Sequence, residues 1–241
     1  MTDSFQEALA GLSGRMATMC RLAKLGLRTA TSALFHADLG LAQDVISKDL
    51  AVDELRDEIE HLSLGLLGAP EPVMDPRAVV AGLRMADHLE RMGDLARHVA
   101  KLARLHYPGC AVPGSLRPMV AQMSQVAEQV AARTTVLIAS GDLTGAAELD
   151  RLDDRMDRLQ LRSFELVVDP GWSHGVQGAI DLTLLTRYYE RFADHAVEAG
   201  RGVALLAVLP ASGCNGGQDA PVAPGVLTRV RHRLGPRPRT C

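Results

Sequence analysis

Aromatic residues make up only 3% of this 241-residue chain, with a single tryptophan. That scarcity argues against a sheet-rich fold, where aromatic and β-branched side chains concentrate. Cysteines are few: Cys20, Cys110, Cys214 and Cys241 show no Cys-x-x-Cys pairing, and the first residues lack the basic-then-apolar pattern of a signal peptide. A reduced, cytoplasmic compartment is expected. The longest apolar run, Val203 to Leu209, falls far short of the ~18 residues that span a bilayer, so membrane association is expected to be peripheral. No Ser or Cys nucleophile arrangement, Walker loop or dinucleotide fingerprint is visible, and no catalysis is expected. The net charge of −3 hides an asymmetry: Ala211 to Cys241 holds five arginines against Asp219, a segment charge of +4 that leaves the rest near −7. So acidic a body is a poor nucleic-acid binder, and no nucleic-acid partner is expected.

What is present is helical. Hydrophobic residues reach 47%, drawn chiefly from Ala, Leu, Val and Met, which favours closely packed helices. From Asp87 to Ala103, at about 100° per residue, Met85, Leu89, Met92, Leu95, Val99 and Leu102 gather on one arc, with Asp87, Glu90 and Asp94 opposite. A hundred positions on, Glu190-Arg191-Phe192-Ala193-Asp194 repeats the Glu-Arg-x-x-Asp core, with Leu185, Phe192, Ala196 and Leu206 on its packing arc. Earlier features repeat at an offset of 104, Asp38-Leu39 with Asp142-Leu143 and Asp49, Asp53 and Leu55 with Asp153, Asp157 and Leu159. The spacing predicts helices over about 4–36, 41–67 and 76–106, then 115–140, 142–168 and 175–209. The expectation is an all-α protein of two tandem three-helix bundles, 1–108 and 115–209, followed by a disordered Pro/Gly/Arg-rich tail, 210–241.

The acidic stripes carry the chemistry. Asp49, Asp53, Asp57 and Glu60 lie within about 80° of one another on the second helix, and like charges four apart destabilise a helix by a few tenths of a kcal/mol per pair. If antiparallel packing sets this stripe beside Glu90 and Asp94, four carboxylates converge, and Asp153, Asp157, Glu190 and Asp194 do so in the second half. Oxygen donors suit Mg, Mn or Fe, whereas Zn usually adds Cys or His. His88, His98 and His195 stand nearby; Glu58 and His61 make a lone Glu-x-x-His, where a di-iron bundle needs two. The plainer alternative is wet helix faces neutralised by Arg91, Arg97, Lys101, Arg191 and Arg201. Since the apolar arc lies opposite, the stripes are expected to face outward. Gly93, mid-helix at a cost of about 1 kcal/mol, reflects close helix packing or room for a metal.

Asp49-Leu-Ala-Val-Asp53, Asp75-Pro-Arg77 and Glu90-Arg-Met-Gly-Asp94, then Asp153-Asp-Arg-Met-Asp157 and Glu190-Arg-Phe-Ala-Asp194-His195-Ala196, resemble the duplicated motifs of the PhoU family of phosphate-uptake regulators, nearest its actinobacterial PhoY branch. The resemblance covers about residues 5–209. It implies a homodimeric, non-catalytic regulator that restrains an ABC-type phosphate permease and relays its state to a sensor histidine kinase, repressing the phosphate-starvation response and reaching the membrane through these partners. It also implies Fe, Mn, Mg or Zn ions on Asp49/Asp53, Glu90/Asp94, Asp153/Asp157 and Glu190/Asp194. The competing readings are a carboxylate-bundle metal store or metal-dependent enzyme, and a structural helical adaptor.

Overall fold

A computed structural model describes residues 2–69 and 74–208. The described residues form seven α-helices and no strand: α1 Thr2–His36, α2 Leu39–Lys48, α3 Leu50–Leu67, α4 Pro76–His106, α5 Arg117–Ser140, α6 Ala146–Val168 and α7 Gly175–Val208. The tail expected over 210–241 lies outside them.

The helix ends follow local chemistry. Asp75 accepts a hydrogen bond from the Arg77 amide and Pro76 opens α4, as Asp-Pro at a helix start predicts. Asp38 caps α2 by accepting from the Leu41 amide, and Asp142 does the same for Thr144 in the second half. The residue before each cap turns left-handed. In the second half it is Gly141 at φ 66°, in the first Ala37 at φ 50°. One turn thus recurs at the 104-residue offset, on a glycine once and on a strained alanine once.

The single second helix expected over 41–67 is two. The chain breaks at Asp49, which follows α2 and precedes α3 with helical dihedrals (φ −58°, ψ −31°). Its counterpart α6 is preceded by a short 3-10 turn, Leu143–Gly145.

Helices α1, α4, α5 and α7 pack as a central group, with α2 and α3 flanking α1 and α4, and α6 flanking α5 and α7. Each half is a three-helix bundle, α2 and α3 together standing in the first where α6 stands in the second, and the halves meet through equivalent helices, α1 on α5 and α4 on α7. This is the self-pairing of a two-fold interface inside one chain. The predicted α4 arc is buried throughout, and one apolar cluster runs continuously through both halves. Leu62 of α3 is exposed and lines a groove. Burial of this many Leu, Val and Met side chains, at ~1.5–3 kcal/mol each, dominates the stability of the fold. A polar bridge tightens the centre, where the buried Tyr189 hydroxyl lies 2.7 Å from Thr31 Oγ1, itself 3.1 Å from Ser124 Oγ.

Candidate functional site

The acidic stripes do not face outward. They line two seams, α3 against α4 and α6 against α7, because residues 49, 53, 90 and 94 sit on the flanks of the apolar arcs, where neighbouring helices meet. Asp49 and Asp153 are each 8% exposed and Glu190 4%. Asp57 and Asp87 stay exposed at the margin, bound with Glu60 around Arg56.

In the first seam, Asp49 projects at the helix break toward Gly93, where a Cβ would lie 3.0 Å from its Oδ1. Gly93 therefore admits a carboxylate at a close helix approach, in line with the packing explanation of its place in mid-helix. Arg97 spans the seam, with Nη1 2.9 Å from Asp49 Oδ2 and Nη2 donating to Asp94. Arg91 Nη1 also donates to Asp94, at 3.0 Å, and its Nε lies 3.6 Å from Glu90. Burial raises the Asp49 carboxyl above the usual range; Arg97 opposes this, and Asp53 and Asp94 add to it. Burial and then Asp94 likewise raise Glu90. All four predicted carboxylates of the first half thus act on one another, with two guanidiniums among them.

The second seam is more compact. Asp153 and Asp157 from α6 and Asp194 from α7 each bring a carboxylate oxygen within 4.8 Å of the others. Glu190 joins them: burial pushes it up to about 7, with Asp194 and Asp157 contributing and Arg187 opposing. Arg187 Nη1 donates to both Glu190 oxygens, at 2.7 and 2.6 Å. The sequence reading missed Arg187; its signal was a cation three residues before Glu190 on the same helix face. Where Arg97 spans the first seam, the second carries buried Val197, and Arg201 pairs with Asp150 and Glu198. The oxygen donor set of Asp153, Asp157 and Asp194 fits a hard divalent ion, with Glu190 held beside it by Arg187.

The sequence matches the PhoU domain twice, over residues 16–103 and 120–203. The chain belongs to the PhoU family. Two mycobacterial relatives support the assignment along nearly their whole length. The phosphate-specific transport system accessory protein PhoU homolog 2 of Mycobacterium tuberculosis is 41% identical, over 86% of this chain and 98% of that protein. Homolog 1 of the same species is 36% identical over 87% and 96%. The crystal structure of PhoU from Pseudomonas aeruginosa shares the fold, with a TM-score of 0.74 at 23% identity over 84% of this chain and 98% of that one.

Both PhoU-domain matches contain one seam motif pair, and the remaining candidates fall outside the seams. His88 and His195 meet where α4 crosses α7, Nδ1 to Nδ1 at 3.0 Å. Burial, then His88, Arg191 and Arg91, push His195 down to about 4. His98 packs on Tyr188. His61 hydrogen-bonds the Asp57 carbonyl while Glu58 pairs with Arg15, so the lone Glu-x-x-His does not gather as a ligand pair. No described helix is long and apolar enough to cross a membrane.

Proposed function

We propose that this PhoU-family chain is a cytoplasmic, non-catalytic regulator of phosphate transport. It restrains an ABC-type phosphate permease, and it relays the permease's state to a sensor histidine kinase so that the starvation response stays off when phosphate is plentiful. The observation that carries this reading is the likeness, over 86–87% of this chain, to proteins named as accessories of the phosphate-specific transport system. The protein works as a homodimer and reaches the membrane through its partners, using the rigid surfaces of the two bundles.

Asp153, Asp157 and Asp194 are the residues that would hold a metal ion beside Glu190, with Mg, Mn or Fe favoured by the oxygen donors and Zn less suited. A bound ion would supply positive charge that ties α6 to α7. This chain's own residues fix the carboxylates at the seam: Arg187 orients Glu190, and the packed α6–α7 crossing holds the three aspartates together.

Copurification of the full chain from gently solubilised membranes tests the regulatory reading. Permease components and a histidine kinase should be recovered with it at high phosphate. Recovery of neither, with the protein folded and expressed at its native level, argues for a module without this partnership.

A further inference from the structure

A groove of about 1020 Å³ lies between the N-terminal part of α1 and the C-terminal part of α3. Its floor is apolar and low, formed by Ala8, Gly11, Leu12, Leu62, Gly65 and Leu66. Its walls carry four carboxylates, Glu7, Glu54, Asp57 and Glu58, against one full cation, Arg15, which is bound to Glu58 at 2.8 Å. The equivalent groove of the second half, between α5 and α6, holds only about 370 Å³. Trp172 and His174 line that one; the indole is tied to the Gly175 carbonyl at 2.8 Å and His174 to Ser115 at 3.1 Å. Its charge balances as well, with Arg162 against Asp169. Of two equivalent grooves, one is lined by residues of its own loop and balanced in charge; the described lining of the other is acidic.

We propose that the acidic groove is the docking site of this chain's own basic segment, residues 226–239. Three observations select that occupant. The charges are complementary: Arg229, Arg231, Arg233, Arg237 and Arg239 meet a groove whose carboxylates outnumber its cation by three. The apolar residues match as well, since Val226, Leu227, Val230 and Leu234 interleave with those arginines and suit an apolar floor below acidic walls. The position fits too. Helices α4 and α7 run antiparallel, with His88 beside His195 and Met85 beside Gly202. The last turn of α7 therefore lies beside the first turns of α4, at the pole where α3 ends. About twenty residues separate Val208 from Arg229 and span up to ~70 Å extended, against a length of ~46 Å for the 31-residue α4. Departure at the same pole gives the segment a high effective concentration there.

Paramagnetic broadening in the full chain tests this directly. A nitroxide is attached at Thr228→Cys, with Cys110, Cys214 and Cys241 changed to Ser; Cys20 is buried, which pushes its thiol up to about 11 and protects it from labelling. Amides of residues 7–15 and 54–66 should lose most of their intensity and recover it in about 1 M salt, where the Debye length is ~3 Å. Glu54→Lys with Asp57→Lys, both exposed, should abolish the broadening while leaving the helical circular dichroism unchanged. Adding Arg229→Glu, Arg231→Glu and Arg233→Glu to that variant should restore it. Broadening centred on residues 150–157 and 190–198, absent everywhere, or seen only between differently labelled molecules in a mixture would overturn the proposal.

Discussion

At the scale of single residues, the duplicated turn provides an internal control. Ala37 holds φ 50° where Gly141 holds φ 66°, and an L-residue there is strained by ~1–2 kcal/mol. After allowance for the added freedom of the unfolded chain, Ala37→Gly should stabilise by about 0.5–1 kcal/mol. A urea midpoint that falls, with unchanged slope, would contradict the strain. Two α4 glycines should diverge under one substitution. A Cβ at Gly82 meets nothing within 4 Å, so Gly82→Ala should gain up to ~1 kcal/mol. At Gly93 the Cβ would stand 3.0 Å from Asp49 Oδ1 and 3.4 Å from Val52 Cγ1, so Gly93→Ala should instead lose ~1–2 kcal/mol by displacing a buried, ion-paired carboxylate. Equal responses would remove the structural role assigned to Gly93. The sequence exposed the Gly93 anomaly, but not that Asp49 would fill the gap, because the helix break at Asp49 carries no Gly or Pro signal.

At the scale of elements, the seams predict how stability responds to pH and metal. Glu190 is raised to about 7 in the folded state, above its unfolded value near ~4.3. Its folded form therefore binds the proton more tightly, and stability is lost as pH rises from ~4.3 through 7. His195 works the other way: lowered to about 4 from ~6.5, it loses stability as pH falls from ~6.5 through 4. In chelator, the two opposed slopes largely cancel between about pH 4.3 and 6.5, and the melting temperature should fall from there through about pH 7. Glu190→Gln should remove that alkaline limb and uncover the His195 slope, so that stability rises from about pH 4 to 6.5. An unchanged alkaline limb in Glu190→Gln would assign the effect elsewhere. With Mn or Mg added, the unmodified chain should melt higher, by the equivalent of ~2.7 kcal/mol at a hundred times the dissociation constant. Glu190→Gln with Asp194→Asn should erase the gain, and Glu90→Gln with Asp94→Asn should leave it largely intact. No uptake by the unmodified chain would return the second seam to a purely electrostatic role. Sequence periodicity placed the eight carboxylates in two groups of four, one along each seam. It turned them outward because a helical wheel shows where the apolar arc points, whereas a seam forms on the flank of that arc and depends on how neighbouring helices are set.

At the scale of the whole molecule, the duplication was legible because equivalent residues keep constant offsets, and both PhoU-domain matches follow the same division. What the repeat could not display is the fusion of the halves, in which α1 meets α5 and α4 meets α7 around one continuous core. Faces that a lone three-helix bundle would expose are consumed there, and what remains for partners is the outer surface with its two seams and two unequal grooves. Regulation through those surfaces is the central claim, and a reporter of the phosphate-starvation response in a strain lacking this gene and any paralogue tests it most directly. At high phosphate the reporter should be on in the deletion, off again with the full chain or with residues 1–209, and partly on when exposed charges beside the second seam are reversed, as in Arg191→Glu with Glu198→Arg. A reporter that stays off at high phosphate in the deletion strain would contradict the claim.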